Sequence, residues 1–166
     1  GDFSTAVTPE VLKRIADSKS IVLGYRTEAA PFSFAAPDGQ PAGYSVDLCK
    51  RVVASLEQQL NAPGLAIKWV PVTADNRIAQ VAGGSVDLEC GTTTVTLGRL
   101  EQVDFSNLIF VDGASFVTAG IGPRTLADLA GKRVGVLAGS TTEPRLRSVL
   151  KERKIDAQVV VPVSYT

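Results

Sequence analysis

The chain contains no histidine. That removes the usual general base near neutral pH and the commonest protein ligand for transition metals. Cysteine is scarce: Cys49 and Cys90 are the only two, and they lie too far apart for a zinc-type pair. Taken alone they are either one disulfide or two buried thiols. Neither sign of charge is in excess, because 17 basic and 17 acidic residues cancel. No basic field is therefore available to hold nucleic acid or an anionic membrane. No apolar run reaches the roughly 20 residues of a membrane span. The nearest candidate, Leu108 to Ile121, is interrupted by Asp112, Gly113 and Gly120. The opening Gly1-Asp2-Phe3-Ser4 lacks the basic head and apolar centre of a signal peptide, so it reads as a cytosolic start or a mature start after processing. What remains as a partner is a small molecule or another protein surface.

Strands and helices alternate along the 166 residues, enough for one domain or two small ones. Residues 1–7 read as a disordered lead-in. Thr8-Pro9-Glu10 reads as a capped helix start, with Val11, Leu12 and Ile15 as its apolar face. Ser20 to Tyr25 is rich in aliphatic residues and predicts a buried strand. Residues 32–44 predict a hairpin around Pro37-Asp38-Gly39. Ser45 is expected to cap a helix whose stripe runs through Cys49, Val52, Val53, Leu56 and Leu60. Leu65 to Val72 predicts the next strand, Thr73-Ala74-Asp75-Asn76-Arg77 opens a helix with Ile78 and Val81 inward that Gly83-Gly84 ends, and Val86 to Cys90 reads as a further strand. Residues 103–107 and 108–119 read as extended segments. A short helix capped by Thr125, a strand from Lys132 to Ala138, a helix opened by Gly139-Ser140-Thr141-Thr142-Glu143 and a strand from Ala157 to Val163 complete the pattern. The expected class is α/β with mostly parallel pairing.

The chemistry concentrates in Glu89-Cys90-Gly91-Thr92-Thr93-Thr94 and in Arg99. Ligands bind beyond the carboxyl ends of strands in open α/β sheets. Backbone N–H groups and threonine hydroxyls there donate to a carboxylate, and an arginine fork matches its two oxygens. The competing reading is a solvated turn with Arg99 on a helix face. Arg26 also follows a strand. Arg77 stands in the first turn of a helix, where the helix dipole disfavours a cation by about 0.3–1 kcal/mol. A bound anion reverses that cost; otherwise Arg77 bends into water or pairs with Asp75. The turn at Gly139 to Thr142 repeats the strand–turn–hydroxyl–helix layout, though Ser and Thr are also ordinary cap residues there.

The residues Gly24-Tyr25-Arg26, Pro31-Phe32-Ser33-Phe34, Gly43-Tyr44-Ser45-Val46-Asp47-Leu48, Asn76-Arg77-Ile78, Asp87 to Thr94, Arg99, Asp104-Phe105-Ser106, Leu126 to Lys132 and Gly139 to Glu143 resemble a known family. They are similar to periplasmic polar-amino-acid-binding proteins of ABC importers, in the glutamate/aspartate branch. The resemblance runs from about Thr8 onward, and the Glu-Cys-Gly-Thr-Thr-Thr block followed by Arg99 is its specific part. It implies a two-lobed Venus-flytrap of the periplasmic-binding-protein type II class. Residues 1–118 would form the first lobe without its C-terminal return, and residues 119–166 the N-terminal part of the second.

In that resemblance Arg99 takes the ligand's α-carboxylate with help from Thr92 and Thr94. Arg26 and Arg77 suit a second carboxylate, and Ser140 and Thr141 reach the ligand from the second lobe. The resemblance implies an acidic amino acid as ligand, a membrane permease as partner, a periplasmic home, and no cofactor or metal. A periplasmic home also favours a Cys49–Cys90 disulfide. The pattern stops at Thr166, before the family's acidic partner for the ligand ammonium. The expectation is thus a first lobe with half a second, of doubtful binding competence, with exposed edge strands that favour a homodimer through exchanged elements. Two other functions belong to the same scaffold. A periplasmic dehydratase of prephenate-like acids would need a general acid or base, for which Glu89 is the nearest candidate and a structural ion pair its simpler explanation. A sensor ectodomain would need membrane segments in its parent chain.

Overall fold

The computed structural model describes residues 9–112, 117–118, 120 and 122–162. Its described residues divide into two compact units, which part between Ile109 and Phe110. Thr8, the lead-in at residues 1–7 and the end of the last expected strand at Val163 lie outside the described residues.

The first unit is built on a three-stranded parallel sheet of order β5-β1-β6. β1 (Ser20–Arg26) forms its centre because Ile21, Leu23, Gly24 and Tyr25 are all buried. A strand covered on both faces reads as such a near-continuous apolar run. β5 (Ala66–Val72) pairs along its whole length, from Ser20 opposite Ala66 to Arg26 opposite Val72. β6 (Leu88–Cys90) flanks the other side, with Gly24 opposite Glu89 and Tyr25 opposite Cys90. The chain therefore leaves β1 for one neighbour and later returns to the other. The carboxyl ends around such a reversal open a crevice.

Between β1 and β5 lie a small antiparallel sheet and a long helix. β2 (Glu28–Ala29), β3 (Ser33–Ala35) and β4 (Pro41–Ala42) form the hairpin sheet, turned at residues 36–40 by bonds between Ala36 and Gln40 and between Gly39 and Ala36. α2 (Tyr44–Gln59) buries Cys49, Val53 and Leu56, the expected stripe. Its start differs from the sequence reading. Gly43 caps the helix, at φ 120°, and the first N–H groups of Tyr44 and Ser45 donate to the carbonyls of Pro31 and Phe32. A Cβ on Gly43 would lie 2.3 Å from the Phe32 carbonyl oxygen, so this close approach requires glycine. With those donors satisfied by backbone, Ser45 is free to bond elsewhere.

α1 (Pro9–Ser18) and α2 cover one sheet face. Ile15, Ile21, Leu23, Cys49, Leu56 and Cys90 make up much of that core. Each fully buried aliphatic side chain contributes about 1.5–3 kcal/mol. Cys49 and Cys90 form a disulfide with Cα atoms 6.2 Å apart, closing a loop 41 residues long. Constraint of the unfolded chain by that loop corresponds to about 4 kcal/mol.

α3 (Arg77–Ala82) links β5 to β6 and ends at Gly83 as the glycines suggest. α4 (Leu97–Leu100) follows β6 and is capped by Thr96, whose hydroxyl accepts from the Arg99 N–H at 3.2 Å. The extended reading of residues 103–119 is not matched by any strand among its described residues. A β-propensity becomes a strand only against a pairing partner, and Leu108 and Val111 there are exposed.

The second unit contains β7 (Arg133–Gly135) and β8 (Gln158–Val160), paired in parallel, with α5 (Thr142–Glu152) between them. Its core gathers Leu129, Val134, Val136, Leu146 and Leu150. The helix expected after Thr125 is a single 3-10 turn, Ala127–Leu129. Leu126, not Thr125, holds its N-cap position, without a side-chain cap bond, and the Asp128 carboxylate inside the turn accepts from the N–H groups of Thr125 and Arg124.

Candidate functional site

Side chains alternate between the two faces of a strand. Cys90 and Leu23 face the helical core, so Glu89, Gly24 and Arg26 share the opposite face. Arg26 ends β1 and is 8% exposed. Its N–H donates to the Ser33 hydroxyl at 2.9 Å, fixing the strand end against β3.

Arg77 is the first residue of α3 and is 4% exposed. The turn that delivers it is held by a reciprocal pair: the Thr73 N–H donates to Asn76 Oδ1 at 2.8 Å and the Asn76 N–H to Thr73 Oγ1 at 3.0 Å. Arg77 neither bends into water nor pairs with Asp75. Its Nε and Nη1 are buried without a hydrogen-bond partner. Burial pulls the guanidinium down from its ordinary value to about 10. Glu89 opposes that fall, while the charges of Arg99 and Arg26 add to it.

Among the described residues, Glu89 is the carboxylate that acts on Arg77. One oxygen accepts from the Thr93 hydroxyl at 2.8 Å. The other, Oε1, is buried and has no partner. Burial raises the Glu89 carboxyl above its usual range, against the Thr93 bond and the attraction of Arg77, Arg26 and Arg99. Gly91 makes room for the group. A Cβ there would lie 2.0 Å from Glu89 Oε1 and 3.3 Å from Arg26 Cγ. The Gly91 carbonyl accepts from the Ser45 hydroxyl at 2.9 Å, so α2 and the disulfide at Cys90 both anchor this turn.

Arg99 is half-buried, and its Nη1 donates to the Thr94 carbonyl at 2.8 Å. Arg26 and Arg99 thus act on Arg77, and all three arginines act on Glu89. An unpaired buried guanidinium is costly, and an incoming anion would supply what the cluster lacks.

The first unit brings Arg26, Arg77 and Arg99 into one electrostatic group, as the sequence suggested. Thr92 and Thr94 are exposed in the segment between β6 and α4, and Thr94 contributes its carbonyl. Thr93 is the hydroxyl that enters the cluster, and the sequence reading did not single it out. Its position four residues beyond Glu89, across a glycine, was the available signal. Ser140 and Thr141 lie in the second unit, just before α5. The Ser140 hydroxyl donates to the Leu137 carbonyl at 2.6 Å, and Thr141 holds the cap position without a side-chain cap bond.

The site thus sets Arg26, at the end of the central strand of a parallel sheet, with Arg77 of α3 and Arg99 of α4 in electrostatic reach of Glu89. The chain belongs to the bacterial extracellular solute-binding proteins, family 3, whose profile matches residues 21–157. The L-glutamate/L-aspartate-binding protein of Pseudomonas aeruginosa is 39% identical over 90% of this chain and 50% of its own length. The L-arginine-binding protein of the same bacterium is 33% identical over 80% of this chain and 49% of its own length. The chain spans about half the length of these curated relatives. Among solved structures, the ancestral amino acid-binding protein AncCDT-1, a precursor of cyclohexadienyl dehydratase, matches with a TM-score of 0.71 at 25% identity, over 92% of this chain and 65% of its own. The fold is that of the type II periplasmic binding proteins, as the resemblance implied.

Proposed function

We propose that this chain belongs to an extracytoplasmic receptor that captures an acidic L-amino acid, glutamate or aspartate, and delivers it to the permease of an ABC importer. The observation that carries this reading is Arg77, a buried cation with two unpartnered donors among Arg26, Arg99 and Glu89. A ligand carboxylate answers those donors, with Arg26 beside it. Arg99, with Thr92 and Thr94, serves the α-carboxylate. The process is reversible binding in a periplasmic setting, without bond chemistry. The excess of positive charge disfavours a ligand with a cationic side chain, since like charges at an interface cost several kcal/mol. Calorimetric titration tests the reading with L-glutamate, L-aspartate, L-glutamine and L-arginine. A neutral amide leaves a buried arginine unpaired, so glutamine should bind at least about a hundredfold more weakly than glutamate. Equal affinities for glutamate and glutamine would refute an acidic ligand.

One observation favours a second reading, an enzyme on the same scaffold: the raised Glu89 carboxyl could hold a proton beside the cluster. Spectroscopic loss of prephenate on incubation with the chain would support it, and an unchanged spectrum would exclude prephenate as substrate.

A further inference from the structure

Glu89 is an unusual neighbour for a site that binds carboxylates, because it is itself one. It sits on the sheet face of Arg26, and its Oε2 is held by the Thr93 hydroxyl at 2.8 Å. A Cβ on Gly91 would lie 2.0 Å from Oε1, so the carboxylate holds this place only because residue 91 has no side chain, and Oε1 itself is buried without a donor. The charged groups acting on it come from three elements: Arg26 from β1, Arg77 from α3 and Arg99 from α4. A carboxylate placed to anchor these arginines would be expected to bond them. Instead Arg77 Nε and Nη1 and Glu89 Oε1 are all left unsatisfied.

We propose that Glu89 is a resident counter-ion that competes with an incoming carboxylate for Arg26, Arg77 and Arg99, and so determines how tightly the site holds anions. The inference rests on the reading that this cluster receives a carboxylate. With Glu89 ionised, three cations face one fixed anion. A ligand carboxylate drawn to the same cations weakens their hold on Glu89 and places a like charge near it. Both effects favour the protonated form of Glu89. By linkage, anion binding then draws a proton onto Glu89, and affinity for the anion rises as pH falls through the Glu89 titration. An ammonium-binding or purely structural Glu89 would behave in the opposite way, because its loss would weaken binding.

The test follows the Glu89 carboxyl carbon of the wild-type 166-residue chain by 13C NMR across pH, without and with saturating sulfate, a simple dianion that needs no ammonium partner. Sulfate is expected to raise the Glu89 midpoint by about one pH unit, a tenfold linkage. An unmoved midpoint overturns the proposal. Glu89→Gln, which also assigns the resonance, is expected to bind sulfate about tenfold more tightly at a pH above the sulfate-free Glu89 midpoint read in the same titration; weaker binding overturns the proposal too. The wild-type titration stands whether or not that variant folds. L-Glutamate forms the second arm. A midpoint that responds to sulfate while glutamate fails to bind refutes the amino-acid ligand but leaves the role of Glu89 intact.

Discussion

Replacing Arg77 by methionine should make the ligand-free protein more stable while abolishing capture of an acidic ligand. Arg77 is 4% exposed, and two of its nitrogens are buried without partners. The fall of its guanidinium to about 10 corresponds to about 3 kcal/mol against the charged form. Methionine fills similar space without charge, and exchanging buried ionic groups for apolar ones is often neutral or stabilising by about 1–4 kcal/mol. Some of the gain is offset because Glu89 loses one of its three arginines. The expected net stabilisation is about 1–2 kcal/mol, read as a higher midpoint in urea unfolding with an unchanged slope. The pH dependence gives a second check. In the wild type the folded state binds fewer protons than the unfolded state once pH passes about 10, so stability rises with pH there. Arg77→Met should lack that rise. A variant destabilised by more than about 1 kcal/mol would show that Arg77 anchors the fold, and the reasoning about an unsatisfied cation would fail.

Three further outcomes follow from the same cluster and its supports. Replacing both Cys49 and Cys90 by alanine should cost about 4 kcal/mol from the loop term alone; a loss below about 1 kcal/mol in chemical denaturation would contradict that assignment. Gly91→Ala places a methyl where Glu89 Oε1 lies, so the carboxylate must swing away from Thr93, at about 1–3 kcal/mol by overpacking. A variant of wild-type stability with an unshifted Glu89 NMR signal would refute the close approach. Because the folded Glu89 carboxyl is raised, the folded state holds its proton more firmly than the unfolded chain. Its contribution to stability is present below the ordinary value of 4.5 and is lost as pH rises through the raised value. Glu89→Gln should flatten that fall, and an identical pH profile for the two proteins would count against it.

Much of this arrangement was legible in the residues. The run Ile21 to Tyr25 announced a buried central strand, and the 3.6-residue spacing from Cys49 to Leu56 placed a thiol on the core side of α2. The three arginines were visible because each follows a strand end or opens a helix. What escaped was set by backbone satisfaction and by pairing. Ser45 has the identity of a cap residue, yet the Pro31 and Phe32 carbonyls take the N–H groups of Tyr44 and Ser45 and let the helix start earlier at Gly43, so the Ser45 hydroxyl turns to Gly91 instead. Residues 103–112 have strand-like composition but no ladder partner among the described residues, which no local pattern reveals. Glu89 looked like a structural ion-pair member. Only the register of β6 against β1 shows that it shares a face with Arg26 and that Cys90 does not.

The most direct test of the central claim is a crystal structure of the chain grown with L-glutamate. A ligand carboxylate is predicted within hydrogen-bond distance, about 2.7–3.2 Å, of Arg77 Nε and Nη1. Glutamate bound elsewhere, with those two nitrogens still unpartnered, would contradict it.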